Sequence, residues 1–242
     1  MALQAAHDRA GRASATPSPT TNLMINLPDV KAHPAVKAFI RLADESLGRL
    51  GYTEHGFRHA KIVARDARKL LKGLGYEKRV PERAAIAGYL HDMGNFISRA
   101  GHPQSGAAIS YQILTELGMP LKDIGIVLGA VGNHEEGIGQ PVSPEGAALI
   151  LADKADVHRS RVRNKDLDTF DIHDRVNFAA ESSILSVDAE HRTLTLELRI
   201  DTTISKIMEY FEIFLERMAM CRRAAEFLDC QFRLVINGTE LL

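Results

Sequence analysis

Apolar residues recur every three or four positions through the first two thirds of the sequence, and this period predicts amphipathic helices. Start and stop signals divide the pattern, such as Pro81 in a predicted first turn and Gly118 after the last apolar residue of another helix. The pattern predicts six helices: Pro34 to Leu50, Glu54 to Leu74, Pro81 to about Gly94, Ser105 as the N-cap of a helix reaching Leu117, Ile124 to Val131, and Pro144 to beyond Val157. Six helices with no strand among them predict an all-α bundle.

After about Asp171 the pattern changes from a helical period to the alternation of strands. Ile184–Val187 and Thr193–Ile200 are predicted strands joined by a hairpin turn. A long amphipathic helix over Thr203–Leu228 precedes a last strand at Phe232–Ile236. This ββαβ unit is too small to bury much by itself. We therefore expect it to pack on the bundle or on a second copy of the chain, which would give a homodimer.

These patterns divide the 242 residues into three parts. Residues 1–28, rich in Ala, Ser, Thr and Pro, are predicted to be a flexible leader. Residues 29–170 are predicted to form the helical domain, and residues 171–242 the ββαβ extension. The expected fold class is mainly α, a helical bundle with a small C-terminal ββαβ extension.

Composition and charge narrow the classes of function. Thirty Lys and Arg against 31 Asp and Glu leave a net charge of −1, which gives no electrostatic case for a nucleic acid or a membrane surface as partner. No apolar run approaches the ~18 residues that cross a bilayer. Cys221 and Cys230 are too few for a disulfide framework or a cysteine-rich zinc site, so we expect a reduced, cytoplasmic setting.

Polar side chains on the apolar faces of the predicted helices are the main functional signal. His59 shares a face with Val63, for example, and Asp153 shares one with Ile150. The inward-facing polar residues are His59, His91, Asp92, His134 and Asp153. Because burying an unpaired carboxylate costs several kcal/mol, histidines and aspartates that converge from separate helices indicate a divalent metal.

Each of these residues also has a structural explanation when it is taken alone. A single histidine on an apolar face is commonly a hydrogen-bonded core residue. Asp153 could pair with Arg159 or Arg163, which are predicted to follow on the same helix together with Asp156 and to orient it through ion pairs. The metal interpretation depends on four helices each directing such a group inward.

The order of these residues resembles the HD superfamily of metal-dependent phosphohydrolases. Members carry a histidine on one helix, a His-Asp pair on a later helix and an aspartate on the last core helix. The corresponding residues here are His59, His91-Asp92 and Asp153. The resemblance spans about residues 35 to 163 and implies an HD-type helical bundle that binds metal.

Two further segments are similar to those of members that bind two metals. His102 lies in a His-Pro-x-x-Gly segment and His134 in an Asn-His-Glu-Glu segment. Some features are distantly similar to the HD-GYP branch, but the sequence differs from that branch at Asn95, Asn133 and Gln140, where its members carry Lys, His and Tyr. These differences argue against cleavage of cyclic dinucleotides.

The resemblance implies a ligand set for two divalent transition-metal ions. The implied assignment is Asp92 as bridging ligand, His59, His91 and Asp153 at one ion, and His102 and His134 at the other. Imidazole and carboxylate ligands suit Mn, Fe, Co, Ni or Zn better than Ca or Mg. Two such ions clamp a phosphoryl group. The implied reaction is attack of a bridging metal-bound hydroxide on the phosphorus of a nucleotide or other small phosphate ester.

Two other residues join Asp92 as candidate catalytic residues. Lys154, next to Asp153, is predicted to neutralise phosphate charge, with a solvated surface lysine as the alternative. His55 is placed one turn before His59 on the same helix face. It is predicted to donate a proton to the leaving oxygen or to hydrogen-bond another residue of the site.

The same ligand set supports two other classes of function. Some HD-fold proteins hold two irons and activate oxygen, and a non-catalytic sensor whose extension mediates association also agrees with the sequence. All six ligand positions are filled, which favours an enzyme. Phosphate release under anaerobic conditions with Mn would separate the phosphohydrolase from the oxygenase.

Overall fold

The computed structural model describes residues 24–241 as a helical bundle that is followed by a small sheet. The α-helices in this range are α1 Leu27–Ala32, α2 Pro34–Arg49, α3 Phe57–Gly73, α4 Arg79–Leu90, α5 His102–Glu116, α6 Leu121–Gly132, α7 Pro144–Lys154, α8 Ile172–Ala179 and α9 Ile207–Phe227. The strands are β1 Ala180–Asp188, β2 Thr193–Ile200, β3 Gln231–Ile236 and β4 Thr239–Glu240. The mainly α fold class is confirmed. No helix between residues 24 and 241 combines the length and the apolar character needed to cross a membrane.

The centre of the bundle is formed by α3, α4 and α7, which pack on one another. The inner face of α4 carries small residues, including Ala84, Ala87 and Gly88, all of them buried. A Cβ atom at Gly88 would lie 3.1 Å from backbone atoms of Ala64 in α3, so the two helices approach closely there. This approach brings the C-terminal end of α4 beside the first turns of α3.

The C-terminal extension is a four-stranded sheet in the order β1-β2-β3-β4, with α9 connecting β2 to β3. β1 and β2 form an antiparallel hairpin, β2 and β3 run parallel, and β3 and β4 are antiparallel. One face of the sheet buries Leu194, Leu196 and Leu198 of β2 together with Leu234 of β3. Because α9 contacts both β3 and α7, the extension packs on the bundle.

The predicted end of α7 and the predicted start of α5 were wrong. α7 ends at Lys154 and does not continue past Val157. The carbonyl of Asp156 accepts a hydrogen bond of 2.6 Å from Nη1 of Arg161, which fixes a non-helical path after α7. Ser105 lies inside α5 and does not cap it. The residue before that helix is Gly101, whose φ of 73° lies in the left-handed region that favours glycine.

The beginning of the chain and two short elements also differ from the sequence-based description. Residues 1–23, most of the predicted leader, lie outside the described residues, but Asn26 caps α1 and Leu27 is buried, so the last residues of that leader are folded. α8 was not predicted because eight residues contain too few turns to display a helical period. β4 was also missed; Asn237 and Gly238, both at positive φ, form the turn that leads into it.

Candidate metal centre

The six predicted metal ligands come from five regions of the bundle and converge on one interior point. They are His59 in the first turn of α3, His91 and Asp92 directly after α4, His102 as the first residue of α5, His134 just after α6, and Asp153 near the end of α7. All four histidines are buried. The convergence depends on the close packing of α3 on α4 described above.

The carboxylate of Asp92 lies between two pairs of imidazoles. Its Oδ2 is 3.6 Å from Nε2 of His59 and 3.2 Å from Nε2 of His91. Its Oδ1 is 3.5 Å from Nε2 of His102 and 3.9 Å from Nε2 of His134. Each carboxylate oxygen of one aspartate therefore faces its own pair of histidines.

Each pair of histidines has a further carboxylate beside it. Oδ1 of Asp153 lies 3.2 Å from Nε2 of His59 and 3.6 Å from Nε2 of His91. On the other side, Oε2 of Glu135 lies 3.6 Å from Nε2 of His102. Asp153 is one of the predicted ligands and lies beside His59 and His91, as predicted. Glu135 was not among the predicted ligands.

The hydrogen bonds of the four imidazoles direct their Nε2 atoms to the centre. Their Nδ1 atoms each lie near an acceptor: Asp156 Oδ2 for His59 at 2.7 Å, Gly88 O for His91 at 2.9 Å, Arg99 O for His102 at 3.0 Å, and Val131 O for His134 at 2.6 Å. In a neutral ring whose Nδ1–H donates, Nε2 carries the lone pair.

These lone-pair atoms make the donor set suitable for divalent cations. The two Nε2 atoms are 3.2 Å apart in the His59–His91 pair and 3.1 Å apart in the His102–His134 pair. Two lone pairs that face each other at this distance repel unless a proton or a metal ion lies beside both. Oδ2 of Asp92 is also buried and accepts no hydrogen bond within residues 24–241. Imidazoles and carboxylates in this arrangement fit transition-metal ions.

The electrostatics of the centre also favour positive charge. Burial would raise the pKa of Asp92 and Asp153, but neighbouring His91 and Lys154 hold the pKa of these carboxyls well below the usual value. Burial would lower the pKa of His91, yet the two carboxylates raise it to about 10. The pKa of His102 is lowered to about 4, mainly by burial. Ionised carboxylates that attract a cation and a neutral His102 suit metal ligation.

Asp156 holds His59 in position. Its carboxylate accepts the Nδ1–H of His59 and is itself held by Nη1 of Arg58 at 2.9 Å. The sequence-based expectation placed Asp156, Arg159 and Arg163 on the helix of Asp153, in ion pairs that orient it. That expectation was wrong, because the chain leaves α7 before Asp156, and both arginines pair with carboxylates outside the centre.

Lys154 lies against the predicted ligand Asp153. Its Nζ is 2.7 Å from Oδ2 of Asp153 and 3.1 Å from Oε1 of Glu136, and the side chain is only 3% exposed. It is therefore not the solvated lysine of the alternative interpretation. Its predicted role in neutralising phosphate charge stays a prediction. On the other side of the centre, Asn95 donates to Oδ1 of Asp92 at 2.9 Å and orients that carboxylate.

His55 lies in the loop before α3, because the helix begins at Phe57, and not on the helix face of His59 as the sequence analysis placed it. Its Nδ1 lies 2.7 Å from the carbonyl of Thr53, and its ring centroid is 5.5 Å from that of His59. Burial and the charge of Arg161 lower its pKa well below the usual value. Its predicted role as a proton donor stays a prediction.

Charged residues around the centre were missed by the sequence analysis. Arg99 donates to Oε1 of Glu135 at 2.7 Å, and Arg217 of α9 pairs with Oε1 of Glu136 at 2.8 Å. Arg99 lies between two predicted helices, so no helical spacing connects it with His102. Arg217 was missed because the sequence does not show that α9 returns to the metal centre.

The fold and this centre together define a mainly α-helical protein with a candidate metal-binding site. Residues 56–158, a range that contains all six predicted ligands, match the HD domain. This part of the chain is similar to the HD domain, and the similarity implies binding of a divalent metal. The predicted distant likeness to the HD-GYP branch stays a prediction.

The chain is also similar to two individual proteins. It is 30% identical to an uncharacterized protein of Methanocaldococcus jannaschii, over 53% of this chain and 58% of that protein. The chain thus spans little more than half of that relative. A crystal structure of a predicted HD superfamily hydrolase from an uncultured Thermotogales bacterium is similar with 22% identity and a TM-score of 0.41, over 55% of this chain and 75% of that one.

Proposed function

We propose that this protein is a metal-dependent phosphohydrolase that holds two divalent ions and acts on a nucleotide or other small phosphate ester. The observation that carries the proposal is the position of Asp92, whose two oxygens face separate imidazole pairs. A carboxylate placed in this way suits a ligand shared by two ions. The HD domain supports the same class of function.

The proposed ligands divide around Asp92. His59, His91 and Asp153 with Oδ2 of Asp92 would hold one ion, and His102 and His134 with Oδ1 would hold the other. When they are bound, two divalent ions supply a water of lowered pKa and neutralise charge on the phosphoryl group. Asn95 orients Asp92, and Asp156 orients His59.

Hydrolysis by a metal-bound water needs no covalent intermediate on the protein. The thiol near the centre is Cys221, which is buried, and burial raises its pKa to about 12, so it is not a nucleophile at neutral pH. Arg99, whose pKa is raised, stays charged beside His102 and adds positive potential where phosphate would lie. Water would supply the oxygen that forms the new bond to phosphorus as the ester oxygen leaves.

Phosphate release from a panel of nucleoside and sugar phosphates tests the proposal. The purified protein would be assayed anaerobically after loading with Mn²⁺, Zn²⁺, Ni²⁺, Co²⁺ or Fe²⁺, with the metal content measured on the same sample. We expect turnover of one ester class by the wild type and its loss in Asp92→Asn. Asp168→Asn, a change of the same kind at an exposed position, should keep full activity.

Other outcomes of this assay would contradict the proposal. Turnover that requires both iron and oxygen, without phosphate release, would identify the oxygenase. A folded, metal-loaded protein that releases no phosphate from any ester would indicate a binding or sensing role.

A further inference from the structure

A cavity of about 290 Å³ lies beside the metal centre. His55, Arg99, Arg161 and Arg217 line both this cavity and the small space against the carboxylates of the centre, so the two are adjacent. We call it the arginine cavity, after Arg99, Arg161 and Arg217. Its volume lies at the lower end of the range for small-molecule sites, which suits a small ligand that extends outward from the centre.

Arg161 is fixed at the wall of this cavity with one amino group unused. The residue is only 3% exposed. Its Nε donates to the carbonyl of Glu54 at 3.0 Å, and its Nη1 donates to the carbonyl of Asp156 at 2.6 Å. Nη2 has no hydrogen-bond acceptor among residues 24–241. A buried guanidinium with a free donor at a cavity wall is a preformed site for an anion.

Arg217 reaches the cavity from α9 and is held there by two contacts. Its Nε lies 2.8 Å from Oε1 of Glu136, and its guanidinium lies 4.5 Å from the ring centroid of Phe214. Both Nη atoms lack an acceptor within the described part of the chain. The C-terminal extension thus contributes a positioned guanidinium to a cavity that Tyr52, Arg99 and Arg161 of the bundle also line.

Each of the two aromatic rings of the cavity has an arginine over one of its faces. The guanidinium of Arg99 lies 5.6 Å from the ring centroid of Tyr52, and that of Arg217 lies 4.5 Å from the ring centroid of Phe214. Asp171 is the carboxylate among the lining residues, and it is engaged in capping α8 through a bond of 2.8 Å from the backbone N–H of Asp174. Among the lining residues, three arginines thus face one carboxylate, while Arg99 and Arg217 also pair with Glu135 and Glu136 at the edge of the centre.

We propose that the arginine cavity binds a second anionic group of the substrate, at some distance from the phosphate that would be cleaved. The substrate class is a small phosphate ester whose organic part carries another phosphate or a carboxylate. Arg217 and Arg161 donate to this second anion, which makes α9 a part of the substrate site. This inference rests on the proposed function, because it assumes that the phosphate to be cleaved lies at the metal centre.

Binding of matched phosphonates tests the inference without turnover. Propylphosphonate ends in a methyl group, whereas 3-phosphonopropionate carries a carboxylate at the same position. Homologues of both with one or two more methylene groups vary the distance between the phosphonate and the end group. Their Kd values would be measured by calorimetry on the full chain, with and without Mn²⁺. At the best chain length we expect the carboxylate to strengthen binding about tenfold, as hydrogen bonds to charged groups do.

Variants on one helix assign this preference to Arg217. Arg217→Gln should remove the preference, so that the ratio of the two Kd values falls to about one. Arg222→Gln is the matched control, because Arg222 lies on the same helix and its side chain is 59% exposed. Should Arg217→Gln fail to fold, Arg217→Lys keeps the charge without the planar fork and should weaken the preference.

The outcomes separate this inference from the proposed function. Equal binding of both ligands at every chain length, or a preference that Arg217→Gln leaves intact, would overturn the arginine cavity as an anion site. Phosphate release without such a preference would overturn it alone. A preference in a protein that hydrolyses no ester would leave the cavity standing and contradict the proposed function.

Discussion

At the scale of single residues, the metal centre is organised by the nitrogen of each imidazole that faces away from it. Three of the four histidines donate from Nδ1 to backbone carbonyls, and His59 donates to the carboxylate of Asp156. Such partners fix the tautomer and the ring orientation, and a carboxylate partner also raises the basicity of the ligand. His59 thus depends on a side chain that substitution can change.

We predict that Asp156→Asn weakens metal binding by about tenfold, the low end of the range for partners of metal ligands. The amide keeps an acceptor for His59 but loses the negative charge. Competition with a chromophoric chelator measures the affinity. Asp188→Asn, at an exposed aspartate in another part of the chain, should leave it unchanged. An unaltered affinity in Asp156→Asn would show that His59 does not depend on this contact.

The proposed ligands were chosen from the sequence, whereas the residues that hydrogen-bond or pair with them could not be. His59 and Asp153 stand on apolar faces at helical spacing, a local property of the sequence. Asp156 reaches His59 because the chain turns out of α7 after Lys154, and Arg217 reaches the centre because α9 packs on α7. Both contacts depend on the path of the backbone through space.

At the scale of elements, close backbone approaches set the distance between the two groups of ligands. Gly94 lies in the short 3₁₀ turn Met93–Phe96 that follows Asp92. A Cβ atom at Gly94 would lie 2.1 Å from the carbonyl oxygen of His102 and 2.6 Å from the backbone nitrogen of Gly106. Glycine therefore lets the start of α5 lie against this turn, which brings His102 to Asp92.

We predict that Gly94→Ala displaces the start of α5 and lowers the free energy of unfolding by about 1–3 kcal/mol, as overpacking does. It should also weaken the metal site that uses His102. Gly125→Ala in α6 is the control, because a Cβ there meets nothing within 4 Å. Alanine at this helical position should stabilise the protein by up to about 1 kcal/mol. Urea unfolding would measure both changes, and equal stabilities would contradict the steric explanation.

The elements differ in how well the sequence predicted them. The long helices and the β1–β2 hairpin have clear local periods, so their existence followed from the pattern. The parallel pairing of β2 with β3 is set by the crossover through α9, and the two-residue β4 by the turn at Asn237 and Gly238. Short elements and pairings between distant segments leave no such period in the sequence.

At the scale of the whole molecule, the extension and the bundle form the surroundings of the centre together. α9 packs on α7, the helix that carries Asp153, while Arg217 pairs with Glu136 close to Lys154. The net charge of −1 does not reveal that three arginines border one cavity, because it sums the charges of the whole chain. Metal binding to the centre should therefore stabilise the fold as a whole.

We predict that removing metal with a chelator lowers the melting temperature of the wild type. Free metal at about 100 times its Kd stabilises the folded state by about 2.7 kcal/mol. Differential scanning calorimetry with and without chelator measures the shift. In Asp92→Asn the chelator should have little effect, because the shared ligand is lost. A wild type that melts at the same temperature in both conditions would indicate that metal does not bind to the folded centre.

The number of metal ions bound per chain tests the central claim most directly. Equilibrium dialysis against Mn²⁺ or Zn²⁺, followed by elemental analysis, should give about two ions for the wild type. The double variant His102→Gln with His134→Gln should retain about one, since the group of His59, His91 and Asp153 remains. A wild type that binds no ion would contradict the account. So would two bound ions in both the double variant and Asp92→Asn.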